Sequence, residues 1–390
     1  MKTKILLAVL ATLCLLAACE KDHFSDENDP TPTKKAALIG EGTIVSEMMH
    51  VKALEGNLLG DPADRMIRVY LPKSYYACPE KRFPVIYFLH GTPAWGGMLT
   101  DPVPYEYFFQ AAQLPSRVDF PAEGFLPWLN GLIDNKGMKE AIVVMPDAQT
   151  RYGVSMYLNN PVQGNYEDYI VEELVDFVDR NYRTIPHFNW RAISGHCAGA
   201  IGALNIAMKH PKVFRYVGAL SPSHFPEPLV LYMAGLLAME DQMWGIEGPL
   251  PYDPFAPFKF VNNSAYSLSQ AWLPNPENPP YYCDLPIEFV NGQPVIVPEL
   301  MEKWNAQSLF ATVRQNSIGL KQLKTIYFDC GINDDFGFDE NVKLHMKLDE
   351  MHIKHQFETF DNPGTHISNL YERLGMVWVM LSNDFPEYND

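Results

Sequence analysis

Residues 192–200 read AISGHCAGA, and this segment decides how the chain folds. The apolar residues at its start predict a buried strand, and Gly199–His210 predicts a helix. A side chain displayed at such a tight turn needs a strained backbone, and glycines two residues before and after it remove Cβ atoms that would collide. Gly195 and Gly199 hold those places around Cys197. The segment therefore predicts an elbow that presents the Cys197 thiol as a nucleophile.

Strand and helix patterns alternate on both sides of this elbow. Short apolar or β-branched runs predict strands buried on both faces. These runs are Arg68–Leu71, Val85–Leu89, Ala141–Met145, Ala192–Ser194, Tyr216–Leu220 and Thr325–Phe328. Apolar residues at helical spacing predict helices over Tyr166–Tyr182, Gly199–His210 and Glu340–Met351. The order predicts an α/β fold with a mostly parallel central sheet, helices on both faces and ligands at the carboxyl ends of the strands.

A nucleophile on such an elbow needs an acid and a histidine, which follow it in the chain in that order. Asp334 lies in a turn just past the last predicted strand, and His366 ends the turn NPGTH just before a helix beginning near Ile367. Asp334 would hold one ring nitrogen of His366, and the other would accept the proton of Cys197. Asp335 stays open as the alternative acid or as a solvated turn residue.

Acyl transfer also needs two N–H groups aimed at the oxygen that becomes negative. The strand pattern ending at Leu89 leads into the turn HGTP, residues 90–93. We expect the backbone N–H groups of Thr92 and Ala198 to form this oxyanion hole, because Ala198 follows the nucleophile and Pro93 has no N–H to offer.

Five segments together resemble the Putative esterase family of α/β-hydrolases: Arg68–Pro72, Pro84–Gly91, Glu167–Leu174, the elbow and Pro363–His366. That family includes esterase D, feruloyl and acetylxylan esterases of carbohydrate esterase family one, and mycolyltransferases. The resemblance keeps the same order from about Arg68 to Leu374 and implies an α/β-hydrolase fold. It implies Cys197 as nucleophile, Asp334 as acid, His366 as base, and Thr92 and Ala198 as oxyanion donors. It does not imply one substrate.

Cysteine stands where the nucleophile of this family is usually serine. A thiol beside a histidine is a strong nucleophile, and dienelactone hydrolases, which share the architecture, use cysteine at the equivalent place. Sulfur is also larger than oxygen, and a misplacement of about 1 Å can cost roughly 10²-fold in rate. Two functions stay open: a carboxylic ester hydrolase acting on esterified carbohydrates or aromatic acids through a Cys-His-Asp triad, and a degenerate hydrolase that binds glycan or protein. Thioester hydrolysis and acyl transfer to another hydroxyl also stay open.

The first residues predict a targeting signal that is not part of the folded domain. Lys2 and Lys4 precede an apolar run too short to span a bilayer, and residues 16–19 read LAAC. This string resembles a bacterial lipobox, which implies a signal peptide over residues 1–18 and a lipid anchor on Cys19; the alternative is an ordinary signal peptide followed by a chance cysteine. We expect a lipid-anchored protein of the bacterial cell envelope, on the outer membrane, facing the periplasm or the surface. The anchor would be its only membrane contact.

Downstream, residues 19–35 are polar and predict a flexible tether. Residues 36–390 predict one hydrolase domain with two insertions, at about 93–139 and 222–322. Both insertions are rich in aromatic residues and are expected to border the cleft. Their rings would stack on a sugar or an aromatic acyl group, or would form a lid with its own small core.

Composition excludes other classes of function. The net charge of −17 opposes binding to nucleic acids and to anionic membrane surfaces. Four cysteines beyond Cys14 and Cys19 are spread too widely for a disulfide framework. We expect exposed polar roles for the histidines at 345, 352 and 355, and therefore no metal; no cofactor is expected either. The expected partner is a small-molecule or polysaccharide ester.

Overall fold

The computed structural model describes residues 41–91, 99–100, 119–223, 225–251 and 259–388. Its largest element is an eight-stranded sheet made of β1 (Thr43–His50), β2 (Asp64–Leu71), β3 (Val85–Leu89), β4 (Ile142–Pro146), β5 (Arg191–His196), β6 (Tyr216–Leu220), β7 (Thr325–Gly331) and β8 (Gln356–Phe360). The strands lie in the order β1-β2-β4-β3-β5-β6-β7-β8. β2 pairs antiparallel with both β1 and β4, and every pairing from β4 to β8 is parallel. The predicted α/β fold with a mostly parallel sheet is confirmed.

Helices separate the strands along the chain. They are α1 (Phe125–Asn135), α2 (Tyr166–Asp168, the π-helical turn Tyr169–Leu174 and Val175–Asn181 in succession), α3 (Ala198–Lys209), α4 (Glu227–Trp244), α5 (Phe260–Trp272), α6 (Pro298–Ala306), α7 (Leu309–Gln315), α8 (Phe338–Glu350) and α9 (Leu370–Asp384). Short helical turns lie at Lys52–Leu54, Ser74–Ala77, Phe188–Trp190 and Ser317–Leu320. Two small hairpins pair Asn159–Asn160 with Gly164–Asn165 and Ile287–Val290 with Gln293–Ile296. In the described part of the chain, no helix is both long enough and apolar enough to cross a bilayer.

The sheet is buried on both faces because alternate residues of each central strand enter two different apolar clusters. In β3, Val85, Tyr87 and Leu89 pack with α2 and α3 on one face. Ile86 and Phe88 of the same strand pack with α1 and α9 on the other face. Every residue of β3, β4 and β6 is buried, which explains their uninterrupted apolar sequences.

Several bounds differ from those expected from the sequence. β1 and β8 were not expected, and β7 continues three residues beyond the predicted end, to Gly331. The helix expected to begin near Ile367 begins at Leu370. The residues from 222 to 322 hold α4 to α7 and a small hairpin, so this region has secondary structure of its own.

Some sequence predictions fall outside the described residues. These are the signal peptide, Cys19, the tether, Thr92 and about half of the first insertion, residues 93–98 and 101–118. They remain predictions.

Candidate active site

Cys197 lies between β5 and α3, at the carboxyl edge of the sheet. Its backbone has φ 58° and ψ −124°, a conformation that costs a non-glycine residue about 1–3 kcal/mol. Its N–H donates to the Leu220 carbonyl at the end of β6, and its carbonyl accepts from Ala200 and Ile201 in α3. The strained turn is therefore fixed on both sides by backbone hydrogen bonds. The thiol is partly exposed.

The two elbow glycines are required by close backbone contacts. A Cβ on Gly195 would lie 2.2 Å from the Gly199 carbonyl oxygen, and a Cβ on Gly199 would lie 2.0 Å from the Leu89 carbonyl oxygen. Gly91, just past β3, is equally constrained because its Cβ would lie 2.7 Å from the Cys197 Cβ. The end of β3 thus packs directly against the elbow.

His366 contacts the predicted acid. Its Nδ1 lies 2.8 Å from Asp334 Oδ2, and the Asp334 side chain is fully buried. Burial alone would raise the pKa of Asp334, but the contact with His366 and the N–H of Phe336 lower it below 3.8. Burial would lower the pKa of His366, but the neighbouring Asp334 carboxylate and Cys197 sulfur raise it to about 10. Asp335, the alternative acid, is exposed.

A serine that was not considered from the sequence contacts both the thiol and the imidazole. The Ser223 hydroxyl oxygen is 3.4 Å from Cys197 Sγ and 3.4 Å from His366 Nε2. Ser223 is almost fully buried, three residues beyond the end of β6. The structure therefore brings Cys197, Asp334 and His366 to one place, together with a hydroxyl that contacts two of them.

The loop that carries His366 is held in place by close packing on neighbouring segments. His196 Nε2 lies 3.1 Å from the His366 carbonyl oxygen, so that ring nitrogen carries the proton and donates it. Burial, followed by the nearby His366 and Arg373, lowers the pKa of His196 well below 6.5, and the ring is neutral at pH 7. A Cβ on Gly331 would lie 2.1 Å from the Gly364 carbonyl oxygen, so β7 and this loop also touch.

A buried arginine links the three segments that supply Ser223, Asp334 and His366. Arg373 in α9 binds both oxygens of Asp329 in β7, at 2.5 and 2.9 Å. Its guanidinium also donates to the Ser221 hydroxyl and to the Ser368 carbonyl. Ser221 is two residues from Ser223, Asp329 five from Asp334, and Ser368 two from His366. One cation thus holds three segments of the chain together.

One of the two predicted oxyanion donors lies in the described part. Ala198 is the first residue of α3, where backbone N–H groups have no partner within the helix. The N-terminus of a helix also favours negative charge. Thr92 lies outside the described residues.

A cavity of about 300 Å³ is lined in part by Ser223, whose hydroxyl contacts the thiol. Ile201 of α3 also lines it, and Phe225, Trp272 and Trp304 form an aromatic wall. The rings of Trp272 and Trp304 meet edge to face at 4.6 Å, and the indole N–H of Trp304 donates to the Phe225 carbonyl. Glu340 and Lys343 add charged groups to the lining. The cavity therefore combines a rigid aromatic surface with a polar rim.

Fold and site define an α/β-hydrolase whose elbow carries a cysteine. The chain belongs to the Putative esterase family, whose model matches residues 62–366. Among solved structures, a ferulic acid esterase is 19% identical with a TM-score of 0.54, covering 88% of this chain and 99% of that protein. The S-formylglutathione hydrolase FrmB of Staphylococcus aureus is 15% identical with a TM-score of 0.51, covering 88% and 99%. These likenesses establish the fold.

Two curated relatives match shorter stretches. An esterase of Mycobacterium tuberculosis is 30% identical over 149 residues, which is 37% of this chain and 26% of that protein. The S-formylglutathione hydrolase of Mus musculus is 28% identical over 144 residues, 29% of this chain and 50% of that protein. The chain thus spans half or less of the length of these relatives.

Proposed function

We propose that this protein hydrolyses carboxylic esters, with Cys197 as nucleophile, His366 as base and acid, and Asp334 as the group that orients His366. The observation that carries the proposal is the 2.8 Å contact between His366 and the buried Asp334, beside a cysteine on a strained elbow. Membership of an esterase family supports the same reaction.

The raised pKa of His366 suggests how a cysteine would act at this site. With its pKa raised to about 10, the imidazole holds a proton at pH 7, and in this proposal the thiolate form of Cys197 is the nucleophile. The thiolate attacks the ester carbon, a C–S bond forms, and the carbonyl oxygen becomes negative facing the Ala198 N–H. His366 then gives its proton to the departing alcohol. Water, deprotonated by His366, cleaves the resulting thioester and regenerates the thiolate.

Ser223 is placed to steady this proton exchange. Its hydroxyl can donate to the thiolate and accept from the imidazolium, since it lies 3.4 Å from each. Such contacts commonly shorten once substrate is bound. Ser223 therefore gives both reacting groups an additional polar contact.

The cavity supports esters of an aromatic acid, or of a carbohydrate, as substrates. Its volume of about 300 Å³ and its Trp272–Trp304 wall suit a flat ring. A structural neighbour is named a ferulic acid esterase, which agrees with this class. Trp272→Ala should raise KM for methyl ferulate several-fold while leaving p-nitrophenyl acetate hydrolysis within twofold. An equal effect on both esters would place the acyl group elsewhere.

We also propose that the protein is exported and anchored by lipid on Cys19, on the strength of the LAAC string alone. Expression of the full chain in a bacterial host followed by detergent phase partitioning tests the anchor. The wild type should enter the detergent phase and Cys19→Ser should stay in the aqueous phase. Equal partitioning of the two forms would reject the anchor and leave the ester chemistry untouched.

The central experiment compares hydrolysis of p-nitrophenyl acetate by the wild type, Cys197→Ala and Cys197→Ser. Cys78→Ala is the matched control, because Cys78 is a free, exposed cysteine. Cys197→Ala should abolish the initial burst of p-nitrophenol that accompanies thioester formation, and Cys78→Ala should behave as the wild type. Unchanged hydrolysis in Cys197→Ala would refute the catalytic role. Activity appearing only in Cys197→Ser would support the alternative of a degenerate hydrolase that binds its ligand without turnover.

A further inference from the structure

A cluster of potential metal ligands lies at the edge of the sheet, on elements that the proposed reaction does not use. His345 and Asp349 are one helical turn apart in α8, and His355 immediately precedes β8. His345 Nδ1 is 2.8 Å from His355 Nε2, and His345 Nε2 is 3.6 Å from Asp349 Oδ2. One ligand atom from each of the three side chains lies within 4.8 Å of the other two.

The rings of the cluster are already oriented. His355 Nδ1 lies 2.8 Å from the Ile353 carbonyl oxygen, which can only accept, so Nδ1 carries the hydrogen and Nε2 presents a lone pair to His345. A backbone carbonyl on the far ring nitrogen is the usual support of a metal-binding histidine. The His355 ring stacks on Phe328, and the His345 ring lies 5.2 Å from Phe357. Two aromatic side chains thus hold the imidazoles in place.

We propose that His345, Asp349 and His355 bind a divalent transition metal, with Zn²⁺ as the preferred ion. Two imidazoles and a carboxylate form a donor set that suits Zn²⁺, whose bonds to nitrogen are about 2.0–2.1 Å. A tetrahedral ion needs its ligand nitrogens about 3.3 Å apart, so the two rings must separate by only about half an ångström. Asp349 is largely exposed and free to turn toward the ion, and water would fill the fourth position.

The ion would act as a structural clamp. α8 and β8 are joined only by the short segment from 351 to 355, and the metal would fasten the end of one to the start of the other. Asp334 precedes the opposite end of α8, and α8 is about 20 Å long, so the site is remote from the thiol. The ion would therefore raise stability without entering the reaction.

This inference reverses the expectation of exposed histidines and no metal. His345 and His355 are partly buried, and only His352 is exposed among the three histidines considered. The i,i+4 spacing of His345 and Asp349 was visible in the sequence, but the approach of His355 depends on how α8 packs against the sheet.

Binding is tested by calorimetric titration of ZnCl₂ into untagged, chelator-treated full-length protein. We expect one ion per chain, and His355→Gln and Asp349→Asn should each weaken binding about tenfold or more. His352→Asn is the matched control, since His352 is exposed on the same segment and outside the cluster. It should bind as the wild type does.

A second measurement separates loss of the site from loss of the fold. Zn²⁺ should raise the melting temperature of the wild type and of His352→Asn, and leave that of His355→Gln unchanged. Without metal, Asp349→Asn should melt with the wild type, because its side chain is exposed. Absence of Zn²⁺ binding in the wild type, or equal affinity in His355→Gln and the wild type, would overturn the proposal.

Discussion

Gly199→Ala should impair the elbow through a single methyl group. The new Cβ would lie 2.0 Å from the Leu89 carbonyl oxygen and 2.7 Å from the His90 carbonyl oxygen, both backbone atoms that cannot rotate away. α3 and the end of β3 must therefore separate by about 1 Å before the closest contact reaches 3.0 Å. Overpacking of this kind costs about 1–3 kcal/mol of unfolding free energy. A shift of about 1 Å between nucleophile and oxyanion donors lowers kcat/KM by roughly 10²-fold.

The assay for this variant combines urea unfolding with p-nitrophenyl acetate kinetics. Gly235→Ala is the control, because Gly235 lies inside α4 with no atom within 4 Å of its added Cβ. Alanine there should stabilise the protein by about 0.5–1 kcal/mol and leave kinetics unchanged. A Gly199→Ala protein with wild-type stability and a kcat/KM within twofold of wild type would refute the packing argument.

Three further changes test the parts of the site. Ser223→Ala removes the hydroxyl beside both reacting groups and should lower kcat about three- to tenfold with KM unchanged, as stopped-flow acylation would reveal; an unaltered kcat speaks against its role. In Asp334→Asn the His366 imidazolium loses the neighbouring charge that raises its pKa. The alkaline limb of the pH–rate profile should therefore shift to lower pH by about one to three units. An unmoved limb would exclude His366 as the acid. Arg373→Met leaves the buried Asp329 carboxylate without its cation and should lower the free energy of unfolding, measured with urea, by about 3–5 kcal/mol. A loss below about 1 kcal/mol would contradict this prediction.

The sequence predicted the elements that are buried on both faces and missed those at the sheet edges. β3 and β6 were located to the residue, since an uninterrupted apolar run is unambiguous in a central strand. β1 and β8 are edge strands that mix polar with apolar residues and bury few of them, so the criterion of a doubly buried run excluded them.

In the site as well, the features set by local sequence could be predicted and those set by distant contacts could not. The elbow and the histidine turn could be found because their glycines and prolines act locally on the backbone. Ser223 and Arg373 act through contacts with segments more than 25 residues away, and no local pattern reports such contacts. The one available signal was that Ser223 follows the carboxyl end of a central strand, where functional side chains of this fold gather.

The contacts of the Arg373 guanidinium bear on how this site compares with similar sites in other proteins. It touches no reacting atom, yet it binds the three segments that carry Ser223, Asp334 and His366. A relative that keeps these three side chains but lacks this cation would not hold them at the same spacing. Transfer of this site to another protein would therefore have to include Arg373 and Asp329.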